Sequence, residues 1–315
     1  MRLIVAISEM VVFFPALWFF LRTYNKDMSD KKNVMIWFAI LLVGPALFID
    51  HGHYQFNQVM HGLVLYAITF ALRDQFELAT IFMVLAVNFK QTALYFALPF
   101  VVYTIARLAA INRTTNIAHN VNAVVTRLFI IGAVFIAVNV LLWKPWLLRD
   151  DYSLDLASAK QVWDRIFPVH RGIFEDKVST FWCMLQYCTP FKPNTMLSRN
   201  TQFMMTMTTT LIACMPSCYT LWQSPTRKQF LYCLFCVSMC FFMFGFQVHE
   251  KQILSPCLIF ALLFADVTEY LTLFMYMSSF SMWMLYTNDF NHTNYIAIQM
   301  LTVVFGRSFE RFIHG

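Results

Sequence analysis

An all-α, multi-pass membrane bundle is the fold class that three observations predict for this chain. Of its 315 residues, 59% are hydrophobic and 13% are charged, whereas soluble domains carry roughly 25% charged and 45–50% apolar residues. The mean hydropathy is +0.57, and 34 phenylalanines are more than one soluble core could hide. The apolar residues also fall into long runs separated by short polar connections, which is the pattern of successive membrane crossings.

Eleven apolar segments follow one another at about 3–21, 34–49, 59–72, 78–89, 92–106, 123–142, 203–222, 229–247, 252–269, 271–287 and 295–306. Several are shorter than the ~20 residues needed to cross a ~30 Å hydrocarbon core. The pair 59–72 and 78–89 reads either as two crossings or as one re-entrant hairpin, and either leaves the downstream sidedness unchanged. The expectation is a single transmembrane domain over residues 1–315, with residues 143–200 as a large loop holding interfacial or re-entrant segments. No signal peptide is expected, since the given sequence opens almost directly into an apolar segment.

Lysine and arginine in short loops set orientation. Arg22, Lys26, Lys31 and Lys32 sit in one connection, three arginines between Arg107 and Arg127 in another, and Arg227 with Lys228 in a third. All three alternate correctly if they are cytosolic. The stretches Asp50–Asn57, Asn88–Gln91, Lys144–Asn200 and Gln247–Gln252 then share the other face. Of the two glycosylation sequons, the one at Asn112 would face the cytosol, and the one at Asn291 would lie on the opposite side, close to a helix.

Net charge is +6, but the cations are scattered through loops rather than gathered in a groove or arm, so nucleic acid is not an expected partner. The eight cysteines all lie in the second half. Most behave as small hydrophobes in apolar helices. Cys233 and Cys236 spell CxxC without its context, and Cys183 with Cys188 would permit a disulfide. There is no P-loop, GxGxxG, HExxH or nucleophile elbow, which excludes the common soluble nucleotide enzymes and serine hydrolases.

The polar stretches carry the chemistry. His51 and His53, flanked by Asp50, Gln55 and Asn57, could ligate a metal, snorkel at the interface, or bind a hydroxylated or phosphorylated ligand, the last being preferred. Lys90 ends an apolar run, where it either reaches the headgroups or offers an ammonium to phosphate. His249, Glu250 and Lys251 crowd a short turn between two apolar segments. The segment Arg165–Lys177 holds three cations, two acids and His170 around Pro168 and Gly172, so one continuous helix is not expected. It either lies on the membrane surface or presents Arg165 and Arg171 to phosphate, which arginine grips in bidentate fashion.

Four of these stretches, Asp-His-Gly-His-Tyr-Gln-Phe-Asn at 50–57, Asn-Phe-Lys-Gln at 88–91, Arg-Ile-Phe-Pro-Val-His-Arg-Gly-Ile-Phe-Glu-Asp-Lys-Val at 165–178 and Phe-Gln-Val-His-Glu-Lys at 246–251, resemble the dolichyl-phosphate-glucose glucosyltransferases of the endoplasmic reticulum. They stand in that family's order and spacing across nearly the whole chain. The continuation Gly-Ile-Phe-Glu-Asp-Lys-Val after Arg171 is similar to the enzymes that glucosylate the nine-mannose lipid-linked oligosaccharide.

The resemblance implies a GT-C type fold in the endoplasmic reticulum membrane with its site on the luminal face. It implies transfer of glucose from dolichyl phosphate glucose to a terminal mannose of the dolichol-linked oligosaccharide, in α-1,3 linkage with inversion, for protein N-glycosylation. Lys90, Arg165, Arg171, His249 and Lys251 would bind phosphate or sugar, with His51, His53, Gln55 and Asn57 lining the cavity. Partners would be those two dolichol-linked substrates and membrane lipid; no metal or cofactor is expected. The family's catalytic aspartate lies in its first luminal loop, which is expected upstream of residue 1. On that reading the chain is N-terminally shortened and inactive alone, and no base is assigned to Glu175 or Asp176. Two other classes stay open: a transporter with a luminal vestibule, and a non-catalytic membrane protein.

Overall fold

The computed structural model describes residues 2–24, 33–34, 36–37, 40, 44–112, 117–148, 153–166, 173, 178–263, 268–289 and 292–314. Arg171 and most of the surrounding motif, together with the sequon at Asn291, lie outside these residues.

The described chain is helical. The first helix, α1 (Arg2–Tyr24), has 23 residues, and at ~1.5 Å per residue this is long enough to cross a membrane. It is interrupted by a π-helical turn, Glu9–Phe13. The second apolar segment ends in a helical turn Gly44–Ala46 and a π turn Leu47–Gly52. His53 N–H closes that end on the carbonyls of Phe48 and Ile49 at 3.1 and 3.2 Å. Tyr54 then takes a positive φ of 55°, which turns the chain into α2 (Asn57–Leu72).

Helices α2 and α3 (Phe76–Phe89) form an antiparallel pair. Asp74, at φ 60°, makes the turn, and Gln75 N–H returns to Phe70 O at 2.9 Å in the manner of a helix C-cap. Arg107 grips Asp74 through two bonds of 2.9 and 3.0 Å, and Arg127 bonds Glu77 at 2.8 Å. The tip of the pair therefore lies level with the arginine-rich connection.

Between membrane helices the lipid tails remove most of the hydrophobic drive, so close approach and packing hold the bundle. Gly62 of α2 shows this: a Cβ there would sit 2.9 Å from the Cα of Phe13. The two backbones cross directly at the π turn of α1. On the C-terminal side of the crossing, Leu17 and Phe20 of α1 and Val64, Leu65 and Ile68 of α2 are all fully buried.

Lys90 breaks the helix after α3 with an extended backbone. A 3₁₀ stretch, Gln91–Phe96, then leads into α4 (Ala97–Ile111). Pro99 falls in the first turn of α4, where its missing N–H is tolerated. Helix α5 (Ile117–Leu147) has 31 residues and turns large apolar side chains outward, Phe129 at 78% and Leu141 at 70% exposure, as a lipid-facing helix must. Helix α6 (Leu156–Ile166) buries none of its residues and has the apolar stripe of an interfacial helix.

The second half repeats short, capped units. Thr180, Ser198 and Thr226 accept from the backbone three residues on, at 3.3, 3.3 and 3.2 Å, and start α7 (Phe181–Cys188), α8 (Arg199–Gln223) and α9 (Arg227–Phe244). Gly245 ends α9; a Cβ there would lie 2.3 Å from Phe241 O. A 3₁₀ turn, Glu250–Ile253, leads into α10 (Leu254–Leu262), every residue of which is buried. Helices α11 (Thr268–Phe280) and α12 (His292–His314) complete the chain. Among the described residues no disulfide forms, so Cys183 and Cys188 are not bonded to each other.

Candidate functional site

The site is built on the N-terminal end of α2. Asp50, which ends the preceding apolar segment, is fully buried. Its Oδ1 accepts the side-chain amide of Asn57 at 2.6 Å and the Asn57 backbone N–H at 3.3 Å. A carboxylate over a helix N-terminus meets unsatisfied N–H groups and the positive end of the helix dipole. The Asn57 amide also reaches Gln55 Oε1 at 3.5 Å. That leaves the Asn57 carbonyl oxygen, which accepts from the ammonium of Lys90.

Asp50, Asn57 and Lys90 thus form one line of donors and acceptors across 40 residues of sequence. Burial pushes the Asp50 carboxyl up to about 7, although the Asn57 bond and the Lys90 charge pull the other way. Burial likewise brings the Lys90 ammonium down to about 8; the nearby charge of Lys251 adds to this and Asp50 opposes it. Two ammonium groups held close together, one of them largely buried, are an arrangement that a bound anion stabilises.

Lys251 comes from the 3₁₀ turn before α10. In that turn the His249 side chain accepts from the Gln252 backbone, and the His249 N–H donates to Gln252 Oε1 at 2.9 Å. Three residues earlier the backbone is set by Gln247, with φ of 58°. Its N–H bonds the carbonyl of Ile173 at 2.8 Å, and Ile173 itself is fully buried. Trp182 Nε1 donates to Phe244 O at 2.8 Å. Ile173 of the Arg165–Val178 motif is therefore docked on the stretch that leads into the His249–Lys251 turn.

All four polar stretches singled out by their sequence are linked in this way: 50–57 to Lys90, Lys90 to Lys251, and the 246–251 turn to Ile173. Arg165 is the outlier among the described candidates. It is exposed, at the end of α6, and the structure gives it no contact with the Asp50–Asn57–Lys90 line.

The two histidines face in different directions. His51 Nδ1 lies 3.7 Å from a carboxylate oxygen of Glu9, and His53 Nε2 lies 2.9 Å from Asp289. His53 also packs edge-on against Phe48 at 4.9 Å. Neither joins a metal cluster: among the described residues no group of three or more His, Cys, Asp or Glu could hold an ion.

An apolar cavity of about 1010 Å³ opens between α3, α4, α5 and the end of α6, lined by Val87, Asn88, Phe100, Phe135, Trp143 and Trp163 among others. Asn88 closes its polar end. It accepts from Trp143 Nε1 at 2.7 Å and donates to Asn139 Oδ1 at 3.1 Å. Lys90 follows Asn88 by two residues and turns to Asn57 of α2, so it does not line the cavity.

Glu9 and His61 escaped the sequence reading. Both are nearly inaccessible, at 6% and 2% exposure, and both sit inside apolar segments. An ionisable residue at mid-membrane costs about 2.5–3.5 kcal/mol on insertion scales and is a functional candidate for that reason; applied to the runs 3–21 and 59–72, the rule would have flagged both. Asp289 carried no such signal, since it lies in a connection.

The chain matches the family described as the ALG6, ALG8 glycosyltransferase family over residues 1–314. It is 34% identical over 314 residues to a probable dolichyl pyrophosphate Man9GlcNAc2 alpha-1,3-glucosyltransferase of Dictyostelium discoideum, covering 99% of this chain and 58% of the relative. Against the dolichyl pyrophosphate Man9GlcNAc2 alpha-1,3-glucosyltransferase of Saccharomyces cerevisiae it is 33% identical over 310 residues, 96% of this chain and 54% of the relative. The rat protein of the same name is 31% identical over 290 residues, 92% of this chain and 54% of the relative. The chain spans a little over half the length of the curated relatives it matches.

Proposed function

Because this chain belongs to the ALG6, ALG8 glycosyltransferase family, we propose that it forms the donor-binding part of a glucosyltransferase in the endoplasmic reticulum membrane. The donor is dolichyl phosphate glucose, and the acceptor is a terminal mannose of the dolichol-linked Man9GlcNAc2 oligosaccharide. The acceptor and the α-1,3 linkage extend to this chain what its relatives' names state of them; the donor and the compartment rest on the resemblance of the four polar motifs.

The observation that carries it is the line Asp50–Asn57–Lys90, with the charge of Lys251 felt at Lys90; an apolar cavity of about 1010 Å³ reaches Asn88, two residues before Lys90. The isoprenoid chain of the donor would occupy the cavity, and its phosphate would meet the two ammonium groups. In the reaction the acceptor hydroxyl attacks the anomeric carbon of glucose from the face opposite the phosphate. The new C–O bond forms as the bond from that carbon to the phosphate oxygen breaks. The hydroxyl proton goes to a carboxylate, and dolichyl phosphate leaves with the bonding pair.

The leaving phosphate gains negative charge during that step, so cations already in place favour the transition state over the ground state. Lys90, fixed by Asn57, would supply that charge, with Lys251 near it; His249 is held in the same turn. A buried, oriented ammonium needs no reorganisation as charge develops. His51, His53, Gln55 and Asn57 would line the sugar side of the site, and Arg165 and Arg171 are proposed as further phosphate ligands. The site would face the lumen, on the side opposite the connection with Arg107 and Arg127.

The test is replacement of the matching part of the Saccharomyces cerevisiae relative by this chain, in cells that lack the native protein. Restored glucose on the lipid-linked oligosaccharide supports the reading. A stable, membrane-inserted chimera that transfers no glucose and binds no dolichyl phosphate glucose would overturn it.

A further inference from the structure

We propose that Glu9, inside the first membrane helix, is a positioning residue for the donor site and acts through His51. This deepens the donor reading and rests on it.

Glu9 is 6% exposed and is the one acid in a helix whose residues from Met10 to Leu21 are all apolar. It opens the π turn Glu9–Phe13, a local widening that re-aims side chains and recurs at functional sites. The turn is not a packing accident. Gly62 of α2 meets it so closely that a single Cβ would stand 2.9 Å from Phe13 Cα. The absence of a side chain at position 62 thus lets α2 press on the turn that carries Glu9. Since α2 also carries Asn57 at its head, one helix seats both the Lys90 partner and the Glu9 turn.

The carboxylate reaches His51 Nδ1 at 3.7 Å and is close enough to Asp50 for its charge to be felt there. The imidazole is 40% exposed while Glu9 is almost fully covered. One ring nitrogen is therefore turned inward to a carboxylate. At 3.7 Å the contact is electrostatic rather than a hydrogen bond, and a negative charge facing one nitrogen favours the tautomer with its proton on that side. The other nitrogen, Nε2, is then presented in a defined direction to the donor. Asp50 and Lys90 belong to the same cluster, so the oriented ring stands beside the proposed phosphate site. Packing gives Glu9 no comparable purpose: an alanine or leucine would fill an apolar helix at less cost than a buried acid.

The experiment uses the chain in lipid nanodiscs, titrated with dolichyl phosphate glucose, with ring-nitrogen NMR of the histidines read in parallel. The His51 signals are assigned by their loss in His51→Asn. Glu9→Gln and His51→Asn should each weaken donor binding at least fivefold, and the double variant should be no more than twofold weaker than the weaker single. Glu9→Asp should recover part of the loss, and Glu9→Gln should change the tautomer signature of His51. Additive losses in the double variant, or an unchanged His51 signature in Glu9→Gln, would overturn the proposal. If the unmodified chain binds no donor, the donor reading fails instead, and the ring-nitrogen signature still decides whether Glu9 orients His51.

Discussion

The Lys90 ammonium donates to the side-chain carbonyl of Asn57, 33 residues earlier in the chain, while the Asn57 amide donates to Asp50 at 2.6 Å. Asn57 uses both ends of its amide, one toward an acid and one toward a base. It thereby holds a cation and an anion in fixed register without letting them neutralise each other in direct contact. That separation keeps the ammonium available to a phosphate.

The pH response of donor binding follows from the same line. Lys90 is brought down to about 8 from an ordinary value of 10.5, so it loses its proton as pH rises through that value. Donor affinity should fall between about pH 7.5 and 9. In Lys90→Arg, whose guanidinium stays charged, affinity should hold across that window. Stability moves the opposite way. Between about 8 and 10.5 the unfolded state binds the extra Lys90 proton, so the contribution of this group to stability rises with pH there. A donor titration and a thermal melt over pH 7–10 check both signs; a parallel fall of the two contradicts the assignment to Lys90.

Position 62 tests the packing that seats the site. Gly62→Ala places a Cβ 2.9 Å from Phe13 Cα, and overpacking of this kind costs about 1–3 kcal/mol. The expected outcome is a lower thermal midpoint and weaker donor binding, because the Glu9 turn shifts with Phe13. The measurement is a melt and a donor titration on the same preparation. An unchanged melt would mean that the two helices can part without loss.

Much of this was legible in the sequence, for physical reasons that differ from place to place. The runs that became α2 and α3 were visible because a membrane helix must be apolar all along its length. How the tip of that pair is held was not, since that depends on Arg107 and Arg127 reaching Asp74 and Glu77 across 33 and 50 residues. Lys90 and Asn57 were each recognisable as polar residues at the end of an apolar run. Their bond was not, because no local pattern records a contact between two helix ends. Glu9 was hidden in plain view, one acid in a long apolar run, and only the fold shows that it meets His51. Arg171, one of the sequence candidates for phosphate, lies outside the described residues.

Sidedness makes a separate prediction. Epitope tags inserted after Tyr54 and after Gln247 should both be protected in sealed microsomes, while a tag after Arg113 should be accessible from outside. Tags at 54 and 247 found in opposite compartments would contradict a shared site, whatever the chemistry of its residues.

The most direct test of the central claim is the affinity of the chain for dolichyl phosphate glucose with and without the Lys90 charge. Hydrogen bonds to charged groups contribute about 1.5–3 kcal/mol, which corresponds to roughly 10- to 150-fold in binding. In nanodiscs, Lys90→Gln should bind the donor at least tenfold more weakly than the unmodified chain, while Arg107→Gln, at the opposite end of the bundle, should bind it equally well. A Lys90→Gln chain that is folded and binds as tightly as the unmodified one would contradict the account.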